Sequence, residues 1–111
     1  MTDPDNSADD QEGSAQAQIL MDADAAFRVS ARRNRLLAHW AAEQMELTPE
    51  EASAYSKAVI QSDFEGAGDE DVIRKVLGDL VAAGCDADQA VVRAMLEEKA
   101  VEARRQLMGE S

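Results

Sequence analysis

Four arginines, Arg28, Arg32, Arg33 and Arg35, fall within one eight-residue stretch of a chain whose 23 acidic side chains outnumber its 11 basic ones. Steps of three and four residues put Arg28, Arg32 and Arg35 on one face of a helix. A guanidinium is planar, permanently charged and carries its donors in a fork that fits a carboxylate. The pattern therefore binds acidic groups. These are either the chain's own, as with Asp24 four residues before Arg28, or those of a partner. Phe27 stands beside the cluster, and with it the candidate partner-binding set is Phe27, Arg28, Arg32, Arg33 and Arg35.

Other chemistries lack their residues. His39 is the single histidine and Cys85 the single cysteine, so no zinc spacing exists. Ser30, Ser53, Ser56 and Ser62 fall on predicted helices, with one histidine among them all to act as base. Gly66-Ala67-Gly68 is a bare glycine pair without the lysine and hydroxyl of a phosphate loop, and Asp69-Glu70-Asp71 behind it repels a pyrophosphate. A calcium loop started at Asp63 places Gly68 at the sixth position but puts Arg74 where the twelfth must be glutamate. The acidic triplet reads instead as a solvated helix N-terminus. No catalytic residue, cofactor or metal site is expected. His39, next to Trp40, is expected at the edge of the core, and Cys85 as a small buried apolar side chain.

The elements that must position the arginines follow from composition and period. At 111 residues the chain is one domain, or one domain and a tail. Met1 to Ser14 has no large apolar group after Met1 and reads as a disordered acidic tail. From residue 15 to 111 we expect an all-α four-helix bundle. A long first helix runs over about 15–46, its second half carrying Phe27, Leu36, Leu37, Trp40, Ala41 and Met45 toward a core. Thr48-Pro49-Glu50-Glu51 is a capping box that opens a second helix over 49–63. The third, over 69–83, has the cleanest amphipathic spacing, in Val72, Ile73, Val76, Leu77, Leu80 and Val81, and Gly84 caps it. Glu70–Arg74 and Asp71–Lys75 stand at i,i+4 on its wet side. Asp86 to Gln89 looks like another capping box, starting a fourth helix over 87–108 with a Val92, Leu96, Ala100, Ala103 and Leu107 stripe widened by Val91 and Met95.

A net charge of −12 repels phosphate backbones and anionic lipid, so neither nucleic acid nor a membrane surface is an expected partner. No apolar run approaches the roughly 20 residues that span a bilayer. The start of the chain, with Asp3, Asp5, Asp9, Asp10 and Glu12, is the opposite of a signal peptide. A lone thiol fits a reducing compartment. The expectation is a cytoplasmic protein that works by docking onto a larger protein.

Two stretches are more specific. Ala31-Arg32-Arg33-Asn34-Arg35-Leu36-Leu37 leading to Trp40-Ala41-Ala42-Glu43 is one. Asp63-Phe64-Glu65 with Gly68 to Leu77 and Asp79-Leu80 is the other. Together they resemble the ATP synthase zeta-subunit family of bacterial four-helix proteins, over about Asp22 to the end. The resemblance implies binding to the catalytic head of the F-type ATP synthase and control of ATP hydrolysis, with the protein peripheral to the inner membrane through that enzyme. It also implies that the bundle holds on from outside while the N-terminal segment enters a cleft between catalytic and non-catalytic subunits, against the rotor. In that segment Asp9, Asp10 and Glu12 match the family. The family's arginine position is Gln11, its lysines fall at Gly13 and Gln18, and its phenylalanines at Ala15 and Ile19. Aromatic and arginine anchors carry most interface energy, so inhibition is expected to be weak. Two other readings stand beside this one: a sensor whose interhelical crevice binds a nucleotide weakly, and a helical adaptor for another partner.

Overall fold

Residue types at the helix ends do most of what the sequence asks of them. In the computed structural model the chain forms four helices, α1 (Pro4–Gln44), α2 (Pro49–Glu65), α3 (Asp69–Ala82) and α4 (Gln89–Gly109). Residues 23–63 and 68–109 are described in full, and 4–22 and 64–65 by their helical backbone. Among the described residues there is no strand, and the all-α four-helix class holds. The tail expected over 1–14 lies outside the fully described residues.

The capping box forms as written. Thr48 N–H donates to Glu51 Oε1 at 2.9 Å, and Glu51 N–H donates to Thr48 Oγ1 at 3.2 Å. The hydrogen bond from the Thr48 backbone holds the Glu51 carboxyl below its ordinary value of 4.5. Gly84, at φ 84, ends α3 in a Schellman turn: Gly84 N–H reaches Val81 O at 3.0 Å and Cys85 N–H reaches Leu80 O at 2.9 Å. The same turn ends α1, where no glycine announces it. Glu46 takes the left-handed position at φ 57, with Glu46 N–H on Glu43 O and Leu47 N–H on Ala42 O. That turn stops α1 at Gln44, two residues before its expected end. The last cap is also displaced. Asp88, rather than Asp86, accepts from Val91 N–H at 2.9 Å, so α4 begins at Gln89 and not at 87.

α1 lies along α2 and α4, and α3 closes the bundle between those two while also touching α1. The core cluster is Leu37, Ala38 and Ala41 from α1, Val59 from α2, Val72, Ile73, Val76 and Leu80 from α3, and Val92 from α4, with Leu96 beside them. Burying a Leu, Ile or Val outright contributes about 1.5–3 kcal/mol. The α1 alanines keep the helix axes close, and Trp40, Met45, Tyr55 and Leu77 pack around the rim of this cluster.

Several expectations about faces need correcting. The seam of α1 is Asn34, Leu37, Ala38, Ala41 and Ala42, with Leu36 only half-buried. Phe27 is 56% exposed, and Val81 and Val91 also face outward. His39 is exposed, one residue off the seam. Cys85 is half-buried rather than buried, its Sγ 3.2 Å from Gln44 O at the junction of α1 and the α3–α4 turn. The ion pairs around α3 run at other spacings than i,i+4 from Glu70 and Asp71. Glu70 reaches across to Arg93 of α4 at 2.8 Å, Arg74 pairs with Asp71 at 3.1 Å, and Lys75 with Asp79 at 3.2 Å. Asp79 also accepts the Tyr55 hydroxyl at 2.9 Å; burial first, and that bond second, push the phenol well above its ordinary value of 10.0.

Candidate partner-binding surface

The eight-residue arginine stretch is divided by the helix period into one inward and three outward positions. Arg33 points in and is only 9% exposed. Its Nη1 donates to Asp69 Oδ1 at 3.0 Å, its Nη2 lies 3.6 Å from Asp63 Oδ2, and its Nε donates to Asn34 Oδ1 at 3.0 Å. One guanidinium thus ties α1 to the end of α2 and the start of α3. Within the set of expected partner-binding residues, Arg33 is occupied inside the fold and is not part of the outer surface.

Arg28 and Arg35 are exposed and Arg32 is half-buried, all three on the side of α1 that faces the end of α4. Arg28 pairs with Asp24 at 3.0 Å, as its spacing indicates, with both side chains mostly in water. Such a pair contributes little, so it yields readily to a better acceptor. Arg32 Nη1 donates to Gln106 Oε1 of α4 at 3.4 Å. Among the described residues Arg35 makes no ion pair. Phe27, Ala31 and Leu107 form the apolar floor between them, and the resulting open groove holds about 340 Å³.

Phe27 is a ridge rather than a core residue, since a second groove lies on its other side. That groove, of about 350 Å³, runs between α1 and the end of α2 and is lined by Ala23, Ala26, Phe27, Ser30, Ala31, Asn34, Ile60 and Asp63. Asn34 is 1% exposed; with its Oδ1 taken by Arg33, its Nδ2 has no protein partner among the described residues. Leu107 and Asn34 were not legible as site residues in the sequence. Leu107 reads there as the end of a helix stripe, and what brings it to Phe27 is the α1–α4 packing across about 80 residues of chain.

The remaining candidates fall differently. Asp9, Asp10, Gln11, Glu12, Ala15, Gln18 and Ile19 lie outside the residues whose side chains are described. Among the described residues, no group of three or more His, Cys, Asp or Glu side chains is arranged to hold a metal, and no helix is long and apolar enough to cross a membrane. Both grooves are open, and among their described lining residues neither has a lysine.

Comparison with known proteins gives three findings. None of the curated proteins matches the chain. Three solved chains match it; one, described as a solution NMR structure, is 46% identical and superposes with a TM-score of 0.67, covering 77% of this chain and 96% of its own. The family model described as ATPase inhibitor subunit zeta matches residues 5–106, nearly the whole length. With the arginine-bearing first helix and the four-helix body both inside that match, the chain belongs to the ATPase inhibitor subunit zeta family.

Proposed function

We propose that this protein is a regulatory, non-enzymatic subunit that binds the catalytic head of the F-type ATP synthase and controls ATP hydrolysis, with little inhibitory power of its own. The family match over residues 5–106 carries the reading. The physical support is an outward surface built for contact rather than catalysis: Phe27, Arg28, Arg32 and Arg35 stand on one helix whose opposite side is fixed in the core. Association through such a surface relies on an aromatic anchor and arginine forks. The N-terminal segment, by contrast, carries Gln11, Ala15, Gln18 and Ile19 where the family resemblance implies a basic–aromatic pattern. A segment without those anchors enters a cleft but holds it weakly.

The test is a titration of ATP hydrolysis by purified catalytic head. The natural chain binds the head and leaves hydrolysis nearly unchanged. A variant carrying Gln11→Arg, Ala15→Phe, Gln18→Lys and Ile19→Phe inhibits at the same concentration. Strong inhibition by the natural chain overturns the weak-wedge reading, and absence of binding overturns the whole assignment. Weak nucleotide binding has no phosphate-loop motif in the sequence to support it.

A further inference from the structure

Resting on that docking reading, we propose that the Phe27–Leu107 groove is the seat for an acidic amphipathic helix of the partner, lying along α1 with one apolar side chain in the groove.

Charge is the first argument. The chain carries −12 overall, yet this groove is walled by Arg28, Arg32 and Arg35. Three arginines gathered on one wall of an acidic molecule make a local field opposite to the global one, and that complementarity selects for a carboxylate-rich partner. A second copy of this chain is disfavoured by the same global charge, which makes two copies repel.

Spacing is the second. Arg28 and Arg35 lie seven residue steps apart on α1 with Arg32 between them, about 10 Å at 1.5 Å per residue. A helix laid beside α1 presents carboxylates at its own three- and four-residue steps with the same pitch, so each guanidinium meets an acid about one turn from the next. An irregular acidic loop has no such periodic match.

The floor is the third. Phe27 and Leu107 are apolar, and Ala31 between them has no bulk, which lets another helix approach closely. A volume of about 340 Å³ suits one or two large side chains from an incoming helix. The Asp24–Arg28 pair is displaced without loss, since it exchanges one exposed carboxylate for another.

The experiment uses the full chain and purified ATP synthase catalytic head. Binding is measured over a salt series for four proteins: the natural chain, Arg28→Glu/Arg35→Glu, Arg28→Gln/Arg35→Gln, and a control, Lys57→Glu/Arg74→Glu. The control makes the same change in net charge at exposed positions that do not line the groove. Affinity of the natural chain falls roughly tenfold or more as salt shortens the screening length from about 10 Å to about 3 Å. The glutamate pair weakens binding by about tenfold or more, the glutamine pair moves it in the same direction by less, and the control stays within about twofold. Phe27→Ser weakens binding at every salt concentration. Circular dichroism confirms that each variant is folded; the glutamine pair decides the matter if the glutamate pair is not.

Equal losses in the control and the glutamate pair overturn the groove while leaving docking intact, and so does binding indifferent to salt. Tighter association of the natural chain with anionic phosphatidylglycerol vesicles than with the head assigns the arginines to a lipid surface and overturns the helix seat. No binding of the natural chain to the head removes the docking reading, and this seat with it.

Discussion

Two neighbouring stretches of the same helix behave in opposite ways. Over residues 31–42, α1 is locked: Arg33, Asn34, Leu37, Ala38, Ala41 and Ala42 are buried against the other three helices. Over residues 23–28 every side chain is exposed, Phe27 included. Both stretches are built of good helix formers, and neither contains Gly or Pro. The difference lies in what stands opposite. Ile60 and Asp63 near the end of α2, and Leu107 near the end of α4, are the last described neighbours that α1 meets on each side. Among the described residues, 23–28 bury against none of the other helices, and Phe27 and Arg28 stay exposed. The described part of α1 is thus anchored over 31–42 and addressed outward over 23–28.

That contrast makes predictions of decreasing size. Leu37→Ala removes a fully buried side chain from the anchored stretch and costs about 3 kcal/mol, read by urea or thermal unfolding. A loss under 1 kcal/mol contradicts the picture of a tightly packed seam. Arg33→Met leaves Asp63 and Asn34 without their cation and costs about 2 kcal/mol, less than a fully buried pair because Asp69 is largely in water. If Arg33→Met proves as harmless as Arg35→Met, the division between inward and outward arginines is mistaken.

The cap of the anchored end sharpens the comparison from the other side. Glu46→Gly relieves a left-handed backbone that glycine adopts without penalty, and raises stability by about 1 kcal/mol. Phe27→Ala, in the outward stretch, changes stability by less than about 0.5 kcal/mol while weakening partner binding. A large destabilisation there places Phe27 in the fold and not on a contact surface.

The smallest effect is one of pH. The folded Glu51 carboxyl is held below its ordinary value of 4.5 by the Thr48 bonds, so the cap contributes fully above that value and is lost as pH falls through the lower folded one. Thr48→Ala therefore destabilises the protein at neutral pH, and its gap to the natural chain narrows under acid conditions. A gap that stays constant down to about pH 3, well below the ordinary value of 4.5, argues against the box as the source.

How much of this was legible depended on range. The Thr48–Glu51 box, the Gly84 turn and the α3 core face of Val72, Ile73, Val76 and Leu80 are local facts, fixed by residues within a turn or two of one another. The arginine cluster was legible as a cluster, and so was the Asp24–Arg28 pair. The three- and four-residue steps also set Arg28, Arg32 and Arg35 on a face apart from Arg33. Which of those faces is internal was not legible, and only the position of Asp63 and Asp69 beside Arg33 decides it. Glu70 is a similar case: a partner four residues away was available, and one 23 residues away on α4 took it. The α1 cap at Glu46 was not legible because its residue type gives no signal; only the backbone bonds of Glu46 and Leu47 show the turn.

The amino-acid order alone therefore settled the class of the fold, the Thr48 and Gly84 caps, and the presence of a cationic stretch in an acidic protein, because these depend on short-range propensity, capping and charge. The tertiary structure decided which side of α1 is inside, which arginine is committed to the fold, and that Phe27 and Leu107 share a groove. Those depend on where the neighbouring helices end in space, and contacts between residues some 80 positions apart are fixed only when the packed core sets the distance and rotation between helices.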